Sequence, residues 1–445
     1  MNRRYYWLIA MLAVFAMIAA ACSSDEGSDT TAAGDTTTTA AVVDLAGTTV
    51  TVFGPEASDE EAGAHQDALN VFAEANGMTI VYTGARDFSD QINAQAAGGN
   101  PPDIAIFPQP GKVADFAREE FILPLPDDVT ATLNANWDSA WTAFGNVDGT
   151  QYGVNNKSDI KSLVWYSPST FSANGYAIPE TWDDLKALSA TMVADGEIPW
   201  CIGIESGPAT GWPYTDWIED LTLRFQGEDF YDQWVANDVK FSDPDMVAIW
   251  NEVLALWNGT GNTYAAGGSI AATPFGDNGQ PLADGTCLMH RQASFFSAFL
   301  PEGTPTGPEG ISVFYFPQGP TGDKPVLGGG TLASAFRDAP EVWAVMEYYA
   351  TAEYAEARQS AQQTRKGGQL SGYLSANQNQ DLSVYLPLEQ QMIQIMLDAQ
   401  ILRFDGSDLM PAAVGAGSFW TEGTSAVNGD KSVDDAVAAI DASWP

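Results

Sequence analysis

Histidine, cysteine and basic residues are scarce in this 445-residue chain, which has two histidines, three cysteines and 18 lysines and arginines against 58 aspartates and glutamates. Each shortage excludes something. His65 and His290 stand alone, and no CxxC or Cys/His spacing occurs, so no metal site is expected. The formal charge of −40 has no basic cluster to offset it, so a nucleic-acid backbone is repelled and is not expected as a partner. The acidity favours solubility and identifies no ligand. After Val43 no apolar run reaches about 18 residues, so nothing further along is expected to span a membrane. There is no GxSxG elbow, HExxH, Walker loop, GxGxxG or EF-hand loop, and no cofactor is expected. No internal repeat is visible.

What is present begins with Arg3 and Arg4, followed by an apolar stretch from Trp7 to Ala21. That stretch is shorter than the roughly 20 residues a spanning helix needs, and the order of basic start, apolar run and small residues is that of a secretory signal. A permanent N-terminal anchor helix is the alternative. Ala19-Ala20-Ala21-Cys22 resembles a bacterial lipobox, although Ala19 stands where that pattern prefers Leu. The resemblance implies that residues 1–21 are a lipoprotein signal peptide and that Cys22 is lipidated, anchoring the chain to the outer face of the cell membrane. Residues 22–45, rich in Ser, Asp, Thr and Gly, cannot offset their ordering entropy and read as a disordered tether. As a flexible coil of about 20 residues the tether spans roughly 25 Å. With Cys22 lipidated, Cys201 and Cys287 remain. An even remainder in an exported protein suggests a disulfide, worth about 4 kcal/mol if the geometry allows; two buried free thiols are the alternative.

The remaining chain, roughly 400 residues, is too long for one core and fits two large lobes. Thr48–Phe53 alternates and is β-branched, which predicts a strand. Residues 60–76 follow with helical spacing, 78–84 read as a strand, 87–97 as a helix and 101–111 as a short apolar strand. Alternation of this kind predicts a parallel sheet with helices on its faces and ligands off the carboxyl ends of the strands. Residues 152–166 read as extended chain. "IPETW" turns into a helix that Thr181 caps, with Asp184 three residues on in a variant capping box. Helical regions are expected at about 213–236, 340–362, 385–400 and 432–444, and strand-like chain at 311–317, ahead of "LGGGTLASAF" at 327–336.

These segments, in this order, resemble an extracellular solute-binding protein of an ABC sugar importer, of the family-1 type. The resemblance covers nearly the whole chain after the tether. It is carried by "NPPDIAIF", "YGVNNKSDIKSLVWY", "IPETWDDL", "DGTCLMHRQASF", "LGGGTLASAF" and "VGAGSFWTEGTSAV". The stretch "PWCIGIESGPATGWPYTDWIEDLTLR" (199–224) is most similar to α-glucoside-binding members. The resemblance implies an α/β, two-lobed periplasmic-binding-protein-like fold with hinge crossings and a central ligand cleft. One lobe would hold 46–156 and 327–373, the other 157–326 and 374–445. It also implies a monomer that binds an α-glucoside or other oligosaccharide (trehalose, maltose or sucrose being examples) and delivers it to permease subunits with a cytoplasmic ATPase.

A sugar presents hydroxyls at its edge and C–H patches on its faces, so its site needs flat rings and planar polar groups. Trp212, between Gly and Pro ahead of a helix, is a candidate face-stacker. Trp420, Phe107 and Phe295 match positions where the family places cleft aromatics. Edge candidates are Gln109 at a strand end, Glu205 and Asp216 flanking the Trp212 loop, Asp159 and Lys161 entering the second lobe, and Arg291 beside Phe295; Arg403 is a weaker one. Gly329 and Gly330 would let backbone N–H groups approach a hydroxyl closely. Tryptophan loops and acid pairs also occur in glycoside hydrolases, whose two carboxyls stand about 5 to 9.5 Å apart, and a structural surface lipoprotein would bind no saturable solute. The tether and segment order favour binding without turnover.

Overall fold

The computed structural model describes residues 44–445. The expected signal peptide, Cys22 and nearly all of the expected tether lie outside the described residues. Two sheets organise the chain into two α/β lobes. In the first sheet, Thr49–Gly54 lies between Thr79–Gly84 and Ile104–Phe107, parallel to both. Val326–Ala335 then pairs antiparallel with Ile104–Phe107 and parallel with Leu402–Phe404. The β-branched run of 49–54 and the four fully buried residues of 104–107 suit strands covered by helices on both faces. The helix Asp59–Asn76 that joins the first two strands is capped by Ser58, whose side chain accepts from Glu61 N–H. It stops at Gly77, whose φ of 64° suits glycine.

The second sheet runs in the order Ser312–Tyr315, Leu163–Tyr166, Met289–Arg291, Trp200–Cys201, Thr263–Tyr264. Its helices include Trp182–Ala194, which begins at the reciprocal capping box of Thr181 and Asp184, and Trp212–Gln226. Two regions expected as single helices are each two. Gly227, at φ 85°, separates Trp212–Gln226 from Glu228–Val235. Thr351 ends Pro340–Ala350 and caps Ala352–Arg365. A helix expected nowhere in the sequence, Pro110–Arg118, follows the Ile104–Phe107 strand, with Pro110 at its first turn.

The lobes are joined by an antiparallel pair, Val154–Ile160 against Val326–Ala335, and each strand continues toward the second sheet. Lys161 N–H donates to Leu327 O at 2.8 Å, and Phe316 N–H to Ser162 O at 2.9 Å. Leu402–Phe404, which falls in the segment the resemblance gives to the second lobe, is instead an edge strand of the first sheet. Its reason is the long Val326–Ala335 strand, whose first residues extend past the Ile104–Phe107 strand and pair with it. Cys201 and Cys287 form a disulfide, Cα atoms 5.4 Å apart. Of the 14 tryptophans, Trp165, Trp200, Trp217, Trp234 and Trp250 are fully buried, so the aromatic count mostly reflects the core.

Candidate ligand cavity

Where the joining strands meet the carboxyl ends of the first sheet, the fold leaves a cavity of about 210 Å³. Its walls come from both lobes. Period-two alternation in the strand Val154–Ile160 and the residue after it puts Lys157, Asp159 and Lys161 on one face, and all three line the cavity. Opposite them in the sheet, Gly330 also lines it. A Cβ on Gly330 would lie 2.3 Å from Lys157 O, so only glycine permits this approach of the two strands.

The aromatic wall is built at the start of the Trp212–Gln226 helix. Gly211 has a φ of 117°, and a Cβ there would lie 2.3 Å from Trp420 O. The chain can therefore turn sharply and present Trp212 to the cavity. The Trp212 ring packs edge-on to Phe275 (centroids 4.9 Å apart) and tilted to Phe295 (5.8 Å). Lys161 Nζ lies 5.6 Å from the Trp212 centroid and Lys157 Nζ 5.5 Å from that of Phe295. Trp420 follows a π-helical turn, Val414–Phe419, a distortion common near functional sites. Its Nε1 is buried without a partner.

Two buried ionic clusters back the walls. In the first, the Glu56 carboxylate accepts from Arg358 Nη2 at 2.7 Å and from Lys157 Nζ at 3.3 Å, with His65 Nδ1 at 3.2 Å. Burial alone would raise the Glu56 pKa, but Arg358 and Lys157 override it and hold the group well below the usual range. Burial keeps His65 neutral, its pKa pulled down to about 4. In the second, Lys161 Nζ contacts Asp216 Oδ1 at 2.9 Å and also Asp405. Burial pushes Asp216 up to about 7. For Asp405 burial acts the same way, but Lys161 prevails and the pKa falls to about 2.

Of the sequence-predicted residues, Gln109, Asp159, Lys161, Trp212, Phe295, Gly330 and Trp420 line this one cavity. The others do not. Phe107 is wholly buried among Phe88, Phe116 and Phe336 (centroids 5.6, 5.3 and 6.4 Å away), because its strand is covered on both faces. Glu205 turns back to accept from Gly207 N–H at 2.6 Å, as a loop cap. Asp216 and Arg291 pair at 3.3 Å beneath the cavity. Gly329 faces Lys161, whose Cε would lie 2.9 Å from an added Cβ. Arg403 is a surface group paired with Asp232 and Glu228.

Sequence reading missed Glu56, Lys157, Phe275, Phe299, Asp405 and Asp408. Lys157 was within reach, since it shares the i, i+2 face of Asp159 and Lys161. Phe275 and Phe299, whose centroids lie 5.0 Å apart, sit in short 3-10 turns that carry no periodic signal.

The family model "Bacterial extracellular solute-binding protein" matches residues 55–356. The alpha-glucosides-binding periplasmic protein AglE of Rhizobium meliloti is 38% identical over 90% of this chain and 88% of its own length. The osmoprotective compounds-binding protein GgtB of Synechocystis sp. is 37% identical over 89% and 92%. The solved structure of the bacterial solute receptor AcbH, described as exclusive for β-D-galactopyranose, superposes with a TM-score of 0.73 at 18% identity, covering 89% of this chain and 97% of that one. Two lobes, a cavity between their joining strands and this match across most of the chain lead to one statement: the chain belongs to the bacterial extracellular solute-binding protein family, non-catalytic receptors that serve ABC import systems.

Proposed function

We propose that the protein captures α-glucosides outside the cytoplasm, tethered through a lipidated Cys22, and hands them to permease subunits driven by a cytoplasmic ATPase. The observation that carries this reading is the convergence of flat rings and planar polar groups on one cavity. Trp212, Phe275, Phe295 and Trp420 offer faces; Glu56, Asp159, Gln109 and Asp408 offer edges. Aromatic contact supplies affinity for C–H faces, and paired polar groups choose among hydroxyl arrangements. The similarity to AglE supports the α-linked class. Lobes spanning about 46–156 with 327–373, and about 157–326 with 374–445 apart from the Leu402–Phe404 strand, would close about the pair of joining strands, and solute would shift the population toward the closed form that the transporter recognises. A second reading, an osmoprotective small solute, is favoured by the nearly equal identity to GgtB and by the small cavity.

Intrinsic tryptophan fluorescence of the purified protein, titrated with maltose, trehalose, sucrose, cellobiose and an unrelated amino acid, tests the reading. Saturable change with an α-linked sugar that is recovered chemically intact is expected. Response to cellobiose alone would discard the α-linked class, and cleaved sugar would contradict a receptor.

A further inference from the structure

The cavity floor ends in a buried carboxyl, Asp408, that pairs with no cation among the described residues. Beneath the cavity, ion pairs run in sequence. Arg224 meets Asp220, Asp220 meets Arg291 at 2.9 Å, Arg291 meets Asp216 at 3.3 Å, and Asp216 meets Lys161 at 2.9 Å. Lys161 also holds Asp405. Three cations are thus matched by three carboxylates. Two further buried carboxyls, Glu219 and Asp408, stand beside them. Glu219 accepts from the backbone N–H groups of Gly406 (2.9 Å) and Ser407 (3.1 Å) and does not reach the cavity. Asp408 does reach it.

The surroundings of Asp408 are acidic from several directions. Its own N–H donates to Asp405 Oδ1 at 2.9 Å. The Trp212–Gln226 helix brings Asp216 and Glu219, and the residue after the joining strand brings Lys161, already shared by two carboxylates. From the Pro110–Arg118 helix, Lys112 donates to Ser89 O at 3.1 Å and Asp115 accepts from Ala412 N–H at 3.3 Å. From Glu228–Val235 and the Leu402–Phe404 strand, Glu228 and Asp232 are paired with Arg403. The π-helical turn Val414–Phe419 adds no titratable group. Among the described residues, no lysine, arginine or histidine nitrogen comes within 4.0 Å of the Asp408 carboxyl. A carboxylate buried without a counter-charge takes up a proton instead of remaining ionised. Burial, reinforced by Asp405, holds Asp408 well above the ordinary carboxyl range.

A separate observation points to a ligand at this spot. Gln109 is only 7% exposed and lines the same cavity, and its Oε1 has no partner. Its side chain also hydrogen-bonds Asp408, which pulls that carboxyl's pKa down without overriding burial. The cavity wall therefore holds a spare acceptor beside a carboxyl of unusual protonation.

We propose that Asp408 stands in the cavity as a neutral carboxylic acid whose O–H donates to an oxygen of the bound sugar, while Gln109 Oε1 accepts from a neighbouring sugar hydroxyl. This rests on the reading of the cavity as a sugar site. An ionised carboxylate can only accept, whereas a neutral acid can also address an oxygen that carries no hydrogen, such as a ring or glycosidic oxygen. Binding then requires the protonated form, so affinity falls as pH rises past the titration of Asp408, by up to about tenfold per pH unit.

Infrared difference spectroscopy between the unliganded full-length protein and Asp408→Asn at neutral pH reads the protonation without any sugar. A carboxylic-acid carbonyl band present in the wild type and absent in the variant is expected. Calorimetry with trehalose and maltose from neutral to alkaline pH then reads the donor role. Wild-type affinity should fall with rising pH, the Asp408→Asn profile should be flat because the amide donates at every pH, and Asp408→Ala should bind weakly throughout. Absence of the band overturns the inference even if sugars bind, leaving the α-glucoside reading intact. An Asp408→Asn profile as steep as the wild type's assigns the titration to another group and overturns it too. The band present with no sugar bound overturns the donor role together with the α-glucoside reading.

Discussion

The two walls of the cavity are both backed by buried charge, but they are built to different balances. On the side of the first strand, Glu56 and Asp159 face Lys157 and Arg358, two carboxylates against two cations, with a neutral His65 between Glu56 and the hydroxyls of Tyr349 (2.9 Å) and Tyr354 (3.2 Å). On the side of the Trp212–Gln226 helix, carboxyls outnumber cations. The balanced wall keeps its charges fixed and pre-organises Glu56 for hydrogen bonding. The acid-rich wall leaves Asp408 without a cation at the cavity and so, in the proposed neutral form, offers a donor as well as acceptors. The two walls thus present different chemistry, and the balance of carboxyls to cations decides which.

The largest expected effect breaks the balanced wall. Arg358→Met leaves Glu56 buried with less compensation and should destabilise the protein by about 3–5 kcal/mol, measured by chemical unfolding. Glu219→Gln, in the acid-rich wall, replaces a carboxyl whose pKa burial holds well above the usual range, and that accepts from two backbone N–H groups, by an amide with one accepting oxygen, and should cost about 1 kcal/mol.

The next effect is in pH, and its sign differs between the walls. His65 titrates near 6.5 when unfolded and about 4 when folded. The unfolded chain therefore binds more protons between those values. The stability from neutral His65 is complete above 6.5 and is lost as pH falls toward 4, by about 3 kcal/mol. Asp216, raised by burial from 3.8 to about 7, acts oppositely. Its contribution is complete below its unfolded value and is lost as pH rises through about 7. Unfolding of wild type and Asp216→Asn across this range should show the neutral-side slope reduced in the variant.

Smaller effects concern the solute. Trp212→Ala should weaken trehalose or maltose binding by about 30-fold, equivalent to about 2 kcal/mol of lost ring contact, with the unfolding midpoint little changed. Glu205→Ala and Arg403→Ala, which lie off the cavity, should change the dissociation constant less than about twofold, since surface ion pairs and loop caps contribute little there.

Much of the frame was legible because it rests on local rules. The alternation of 49–54, the capping box at Thr181 and Asp184, and the strand–helix–strand order at the start of the first sheet each follow from period and propensity. Phe107 was misplaced for the converse reason. A strand end next to a cleft and a strand end inside a ring cluster look alike in sequence, and only the packing of Phe88, Phe116 and Phe336 distinguishes them. Asp216, on a helix, and Arg291, at a strand end, were singled out near the right place but one layer too shallow, because burial depth has no local signature in either element. Glu56 and Asp408 were missed since partners that define their surroundings come from distant sequence positions, as Arg358, 302 residues on, does for Glu56.

The most direct test of the central claim, that rings and planar polar groups in this one cavity hold an α-glucoside, is a calorimetric titration of wild type and a Trp212→Ala, Trp420→Ala double variant with maltose and trehalose. One-to-one binding of at least one of them by the wild type, abolished in a double variant that remains folded, is the predicted result. Undiminished binding in the double variant would place the solute elsewhere and contradict the account.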